Sequence, residues 1–304
     1  MDQTRRGTVA GVTAYLIWGM FPLYWPLLEP AGALEILAHR IVWSLAFLVA
    51  LLALARNWAW LRQMRGPRLA WLSVAAVVIA VNWVVYIWAI NSGHVVETSL
   101  GYFINPLVTV ALAVLLLGER LRRVQWAALG LALVAVVVLT VGYGRPPWIA
   151  LALAFSFGTY GLAKKKANVP AVESLTVETA LLFLPALAYL GWLQSQDRLV
   201  FGHWSAGTTV LLALAGVVTA VPLLCFGYGA LRVPLSTLGL LQYLTPGMQF
   251  LLGVLVFREH MPPARWVGFV LVWVALAVFT MDTLGGRRRR QRVTLAEAAE
   301  STAA

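Results

Sequence analysis

Long apolar runs alternate with short polar breaks along the whole chain. The runs predict helices at about 8–27, 34–55, 69–91, 97–117, 124–142, 147–164, 175–194, 208–230, 236–257 and 264–283. Most approach the roughly 20 residues that cross about 30 Å of hydrocarbon. Most breaks are short, so neighbouring helices should run antiparallel. The reading is an all-α integral membrane protein of ten transmembrane helices. Residues 1–7 precede the first helix and 284–304 form a polar, basic tail read as disordered. The run at 147–164 is the weakest, being short and ending in Lys164, Lys165 and Lys166. Arg5 and Arg6 before the first run resemble the start of a signal peptide. No small-residue cleavage site follows, so that run is expected to remain as a helix.

Composition agrees with a membrane chain. Of 304 residues, 61% are hydrophobic and 12% charged, against about 25% charged in a soluble domain. The net charge of +11 fits basic loops held at the cytoplasmic face better than nucleic-acid binding. One cysteine, Cys225, sits within an apolar run, which excludes a disulfide framework. The four histidines lack metal-ligand spacing, and no cofactor motif occurs. There is no GxxxxGK[ST] loop, so ATP is not expected to drive the protein directly.

Cations orient the helices. With the N-terminus inside, the inner segments carry Arg5, Arg6, Arg56, Arg62, Arg65, Arg68, Arg120, Arg122, Arg123, the three lysines of 164–166, Arg232 and the arginines of the tail. The outer loops carry only Arg145, Arg198, Arg258 and Arg265. This bias predicts both termini in the cytoplasm.

The chain also repeats itself. Residues 75–140 align with 215–280 without a gap, pairing Pro106 with Pro246, Glu119 with Glu259 and Trp126 with Trp266. The two repeats are placed at 8–142 and 147–283, five helices each. Five is odd, so the second repeat enters the membrane from the opposite side. Inverted-topology repeats underlie many secondary transporters, whose substrate sites lie near the midplane where helices break.

The candidate breaks are Asn105-Pro106 and Thr245-Pro246, each freeing a carbonyl four residues back, at Tyr102 and Gln242. Polar side chains near them are Asn82, Tyr86, Asn91 and Tyr102 in the first repeat, and Tyr160, Gln242, Tyr243 and Gln249 in the second. Trp18, Trp43, Trp83 and Trp88 fall inside spans and either line an aromatic cavity or simply pack. Membrane helices also tolerate prolines, and they bury polar residues as contacts between helices. The pairing of the two breaks favours a site. "GERLRRVQW" at 118–126 reads as an interfacial ion cluster, and Glu119 and Glu259 as structural.

The segment "LEILAHRIVWS" at 34–44 opens a membrane span with Glu35, His39 and Arg40. Glu35 and His39 share a helix face, and Arg40 points about 100° away. Two readings stand. In one, this is an outer-rim ion cluster in which Arg40 snorkels to the interface and Glu35 meets it or a neighbouring helix. In the other, Arg40 faces a central cavity, holding an anionic substrate group or latching a gate that His39 tunes with pH.

Several stretches are similar to the RarD branch of the EamA family of drug/metabolite transporters. They are "WGMFPLYWPLL" (18–28), "EILAHRIVWS" (35–44), "NWVVYIWAINSGHVVETSLGYFINPL" (82–107), "ERLRRVQW" (119–126), "FGTYGLAKKK" (157–166) and "PLSTLGLLQYLTPGMQFLLGV" (234–254). The resemblance covers nearly the whole chain. It implies two EamA-type repeats, a bacterial inner-membrane location and movement of a small metabolite or drug. The competing classes are an intramembrane enzyme and a non-transporting membrane sensor. The first lacks a convincing reactive constellation, and the second lacks a soluble output domain. The expected partners are the lipid bilayer and a small-molecule substrate, with proton or other ion coupling left open.

Overall fold

The computed structural model describes residues 3–56, 58–117, 121–230, 232–233 and 241–282. Among them it shows ten helices and no strand. These are α1 Gln3–Tyr24, α2 Ala33–Ala55, α3 Pro67–Asn91, α4 Val95–Leu117, α5 Arg123–Tyr143, α6 Trp148–Ala167, α7 Ala171–Ser195, α8 Ala206–Ala230, α9 Leu244–Leu251 and α10 Pro263–Asp282. Helix α9 runs on into a π turn at Leu252–Val256. Seven helices are long and apolar enough to cross a membrane: α2, α3, α4, α5, α7, α8 and α10.

Local chemistry sets several ends. Pro67 occupies the first turn of α3, where its missing N–H costs nothing. Gln125 returns its side chain to the Arg122 N–H at 3.0 Å, closing the start of α5. Gly144 takes the left-handed conformation that ends α5, at φ 67°. The predicted start of the ninth helix, 236–240, lies outside the described residues. Pro246 falls in the first turn of α9, just after a turn at 242–243. Pro106 sits within α4, which stays helical on both sides of it. The predicted break at Pro106 is therefore corrected, since a membrane helix can carry an internal proline without ending.

The described residues fall into two compact units, which cut across the sequence repeats. The first lies within Met1–Asn105 and Trp148–His260, and the second within Pro106–Pro147 and Met261–Ala304. In the second, Gly268 of α10 packs so closely that a Cβ there would lie 2.3 Å from Leu139 of α5. Arg122 also pairs with Asp282 at 3.2 Å.

In the first unit, α1 packs on α8, α3 on α6, α2 on both α7 and α8, and α3 on α7. This pattern is unchanged when the repeats are exchanged. If α1, α2 and α3 correspond to α6, α7 and α8, then α1–α8 maps onto α6–α3 and α2–α8 onto α7–α3. The α2–α7 pair maps onto itself. Large apolar side chains point outward, with Leu54 85% and Leu184 72% exposed, as a lipid-facing surface requires.

Two acids, Glu97 and Glu259, tie helix ends together. Glu97 of α4 accepts the Ile149 N–H at the start of α6, at 3.1 Å. Glu259 accepts the Val96 N–H at the start of α4, at 3.0 Å. The π turn before it brings Gly253 against Val96, where a Cβ would sit 2.7 Å from Val96 Cγ2. A carboxylate at a helix N-terminus meets both free amides and the positive end of the helix dipole.

Candidate functional site

A cavity of about 350 Å³ opens inside the first unit, at the lower end of the size of small-molecule pockets. Both sequence repeats line it. From the first come Tyr15, Trp18, Phe21, Arg40, Asn82, Trp83, Tyr86, Tyr102 and Asn105. From the second come Phe157, Tyr160, Lys164, Phe226, Gln242, Thr245, Pro246 and Gln249. The walls are chiefly aromatic, and polar groups occur at a few fixed points.

Helix packing fixes Arg40. It is 4% exposed. Its Nε donates to Thr219 Oγ1 at 2.7 Å, and Thr219 in turn bonds the Ala215 carbonyl of α8. The guanidinium lies 4.1 Å from the centre of the Trp83 ring and 5.2 Å from that of Trp25. Tyr86 and Tyr102 are the titratable groups facing it. Among the described residues its Nη1 is buried without a hydrogen-bond partner.

The rim-cluster reading is thereby corrected, because Arg40 neither snorkels nor meets Glu35. Glu35 instead accepts the N–H groups of Val200 and Phe201, at 2.8 and 3.2 Å, and pins the segment after α7. His39 Nε2 stands 3.9 Å from Glu35 Oε1, and its ring stacks on Phe201 with centroids 4.5 Å apart. Neither Glu35 nor His39 lines the cavity.

Two amides organise the polar wall. Asn82 donates to the Leu153 carbonyl at 3.1 Å and to Ser156 Oγ at 2.9 Å, while its Oδ1 accepts from the Tyr102 hydroxyl at 3.3 Å. Gln249 donates to the Tyr86 hydroxyl at 2.7 Å and to the Trp18 carbonyl at 3.2 Å. The Tyr86 and Tyr102 rings meet edge to face at 5.6 Å. These bonds join α3 to α6 and α9 to α1 and α3, so the wall couples the repeats.

A second charged cluster borders the cavity. Lys164 Nζ donates to Glu178 Oε1 at 2.8 Å and to Ser174. Ser174 donates to the same carboxylate oxygen at 2.6 Å, and the Tyr160 hydroxyl to the other at 3.1 Å. Glu178 is 1% exposed. In sequence Lys164 is simply the last residue of the sixth predicted helix and one of the inner-side cations. Its inward role depends on Glu178 of the next helix, and no local pattern signals that contact.

Three other candidates lie elsewhere. Asn91 ends α3, Tyr243 precedes α9 and Pro106 belongs to the second unit; none lines the cavity. Among the described residues, no cluster of His, Cys, Asp and Glu has a metal-holding arrangement.

Comparison with known proteins gives the family. The EamA-like transporter family matches the chain twice, at residues 5–141 and 146–281. Protein RarD of Streptomyces exfoliatus is 60% identical over 299 residues, covering 97% of this chain and 95% of that one. An uncharacterized transporter, YojE, of Bacillus subtilis strain 168 is 44% identical over 292 residues, with 94% and 97% covered. A solved crystal structure shares the fold at TM-score 0.56 and 22% identity, covering 90% of this chain and 97% of its own. Two consecutive family matches and relatives of this similarity establish that the chain is a multi-pass membrane protein of the EamA-like transporter family, in its RarD branch.

Proposed function

We propose that this protein is a secondary transporter that carries a small metabolite or drug across the bacterial inner membrane by alternating access. The observation that carries the reading is the cavity itself. It is largely aromatic and lined by both repeats, where repeat-built transporters hold their substrates. The exchange-invariant packing of α1–α3 with α6–α8 supports two repeats related by a two-fold axis. With five helices per repeat, that relation implies inverted topology and ten spans, and the Lys/Arg bias puts both termini in the cytoplasm. The family's description and the name of the Bacillus subtilis relative point to transport and not to catalysis. The polar cavity groups are engaged in positioning each other: Asn82 with Tyr102 and Gln249 with Tyr86.

The topology gives a direct test. In a Cys225→Ser background, Met64→Cys in intact cells should resist a membrane-impermeant maleimide until the membrane is opened. Ser92→Cys, between α3 and α4, should react at once. Labelling of position 64 from outside overturns the arrangement.

A further inference from the structure

Resting on the transport reading above, we infer that the cavity takes a small carboxylic acid as its anion, with Arg40 as the receptor for the carboxylate and the aromatic walls holding an apolar body.

Two cations line the cavity, Arg40 and Lys164. Lys164 is neutralised by Glu178 at 2.8 Å. Arg40 has no carboxylate partner among the described residues. The buried acids are committed elsewhere: Glu35 to Val200 and Phe201, Glu97 to Ile149, and Glu178 to Lys164. The cavity therefore presents one net positive charge at a fixed point.

That charge is expensive where it stands. A buried ion without an opposite charge pays a desolvation penalty. The aromatic contacts and the bond to neutral Thr219 offset only part of it. An arginine kept at membrane depth under those terms marks a functional site. An incoming anion supplies what is missing. The geometry is also prepared: Nε is held by Thr219, the guanidinium carbon lies 4.1 Å from the centre of the Trp83 ring, and Nη1 remains unpartnered. A planar guanidinium fixed in this way offers the donor fork that matches a carboxylate.

The remaining walls decide the rest of the ligand. Trp18, Phe21, Phe157 and Phe226 surround the space and favour a flat apolar group over a sugar or an inorganic ion. One uncompensated cation matches one negative charge, which favours a carboxylate over a phosphate monoester of about −1.5 to −2.

The test uses four probes sharing a phenyl ring: 3-phenylpropanoate, 3-phenylpropanamide, 3-phenylpropylamine and phenyl phosphate. Binding to the purified full-length protein in detergent is read by quenching of tryptophan fluorescence. The acid is expected to bind at least about tenfold more tightly than each of the others. Arg40→Gln should bring the acid and the amide within about twofold of each other. Arg40→Lys should keep a preference reduced several-fold, since a point charge replaces the fork. If Arg40→Gln does not fold, the wild-type ranking and Arg40→Lys decide. An acid that binds no better than the other probes, including no binding at all, overturns the inference. So does an Arg40→Lys protein with undiminished preference. Uptake into proteoliposomes separates the two layers of the account. An acid that binds with this ranking but is not carried defeats transport and leaves the receptor role. Carriage of the amine but not the acid does the reverse.

Discussion

Gly216→Ala lowers the unfolding temperature in detergent sharply, and Gly216→Val yields little folded protein. A Cβ at Gly216 would lie 2.3 Å from the carbonyl carbon of Trp43 and 2.5 Å from the Ser44 nitrogen. These are backbone atoms of α2, so no side-chain rotation relieves the contact. Small residues allow such close approach between membrane helices. The expected cost is about 1–3 kcal/mol for alanine and more for valine. The same seam carries the Ser44 bond to the Gly216 carbonyl at 3.2 Å and the Arg40 bond to Thr219. Forcing α2 from α8 therefore also frees the guanidinium. Gly191→Ala is the control, because nothing lies within 4 Å of a Cβ there; it should change stability by less than about 0.5 kcal/mol. Equal melting of Gly216→Ala and Gly191→Ala would contradict the close seam.

Lys164→Met destabilises the protein by about 3–5 kcal/mol, because it leaves the Glu178 carboxylate buried without its cation. Ser174 and Tyr160 still donate to that carboxylate, but neutral donors do not replace the charge. Replacing both members, Lys164→Met with Glu178→Met, should recover most of the loss, since an apolar pair of similar volume often matches a buried ion pair. Thermal unfolding of the three variants in one detergent gives the comparison. A double variant no more stable than Lys164→Met alone would show that the pair is not the unit that matters.

Much of this architecture is legible in sequence because the membrane imposes it. Apolar runs of a fixed length follow from the bilayer thickness, and they mark the helices well. The duplication is legible because Pro106 and Pro246, and Trp126 and Trp266, stand at matching positions. Arg40 is conspicuous because a charge inside a span is rare. Its surroundings are not visible locally: Thr219 and Trp83 reach it from α8 and α3, far away in the chain. Lys164 reads in sequence as one of three cations closing the sixth run, and only its contact with Glu178 in α7 turns it inward. Asn105-Pro106 reads as a break, yet α4 passes through Pro106, whereas the chain turns at 242–243 before Pro246 enters α9. Proline removes one amide donor, and the surrounding fold decides whether the helix ends. Glu35 and His39 share a face, as spacing requires, but tertiary contacts with Val200 and Phe201 claim both.

The central claim is that the cavity opens alternately to the two sides of the membrane. Ala220 is 1% exposed, lines the cavity and is close in size to cysteine. With Cys225→Ser as background, Ala220→Cys is exposed to an impermeant maleimide, once in intact cells and once in inside-out vesicles. Alternating access predicts that the thiol reacts slowly from both sides, because each conformation is open for part of the time. Reaction from neither side, or from one side only, would contradict the account.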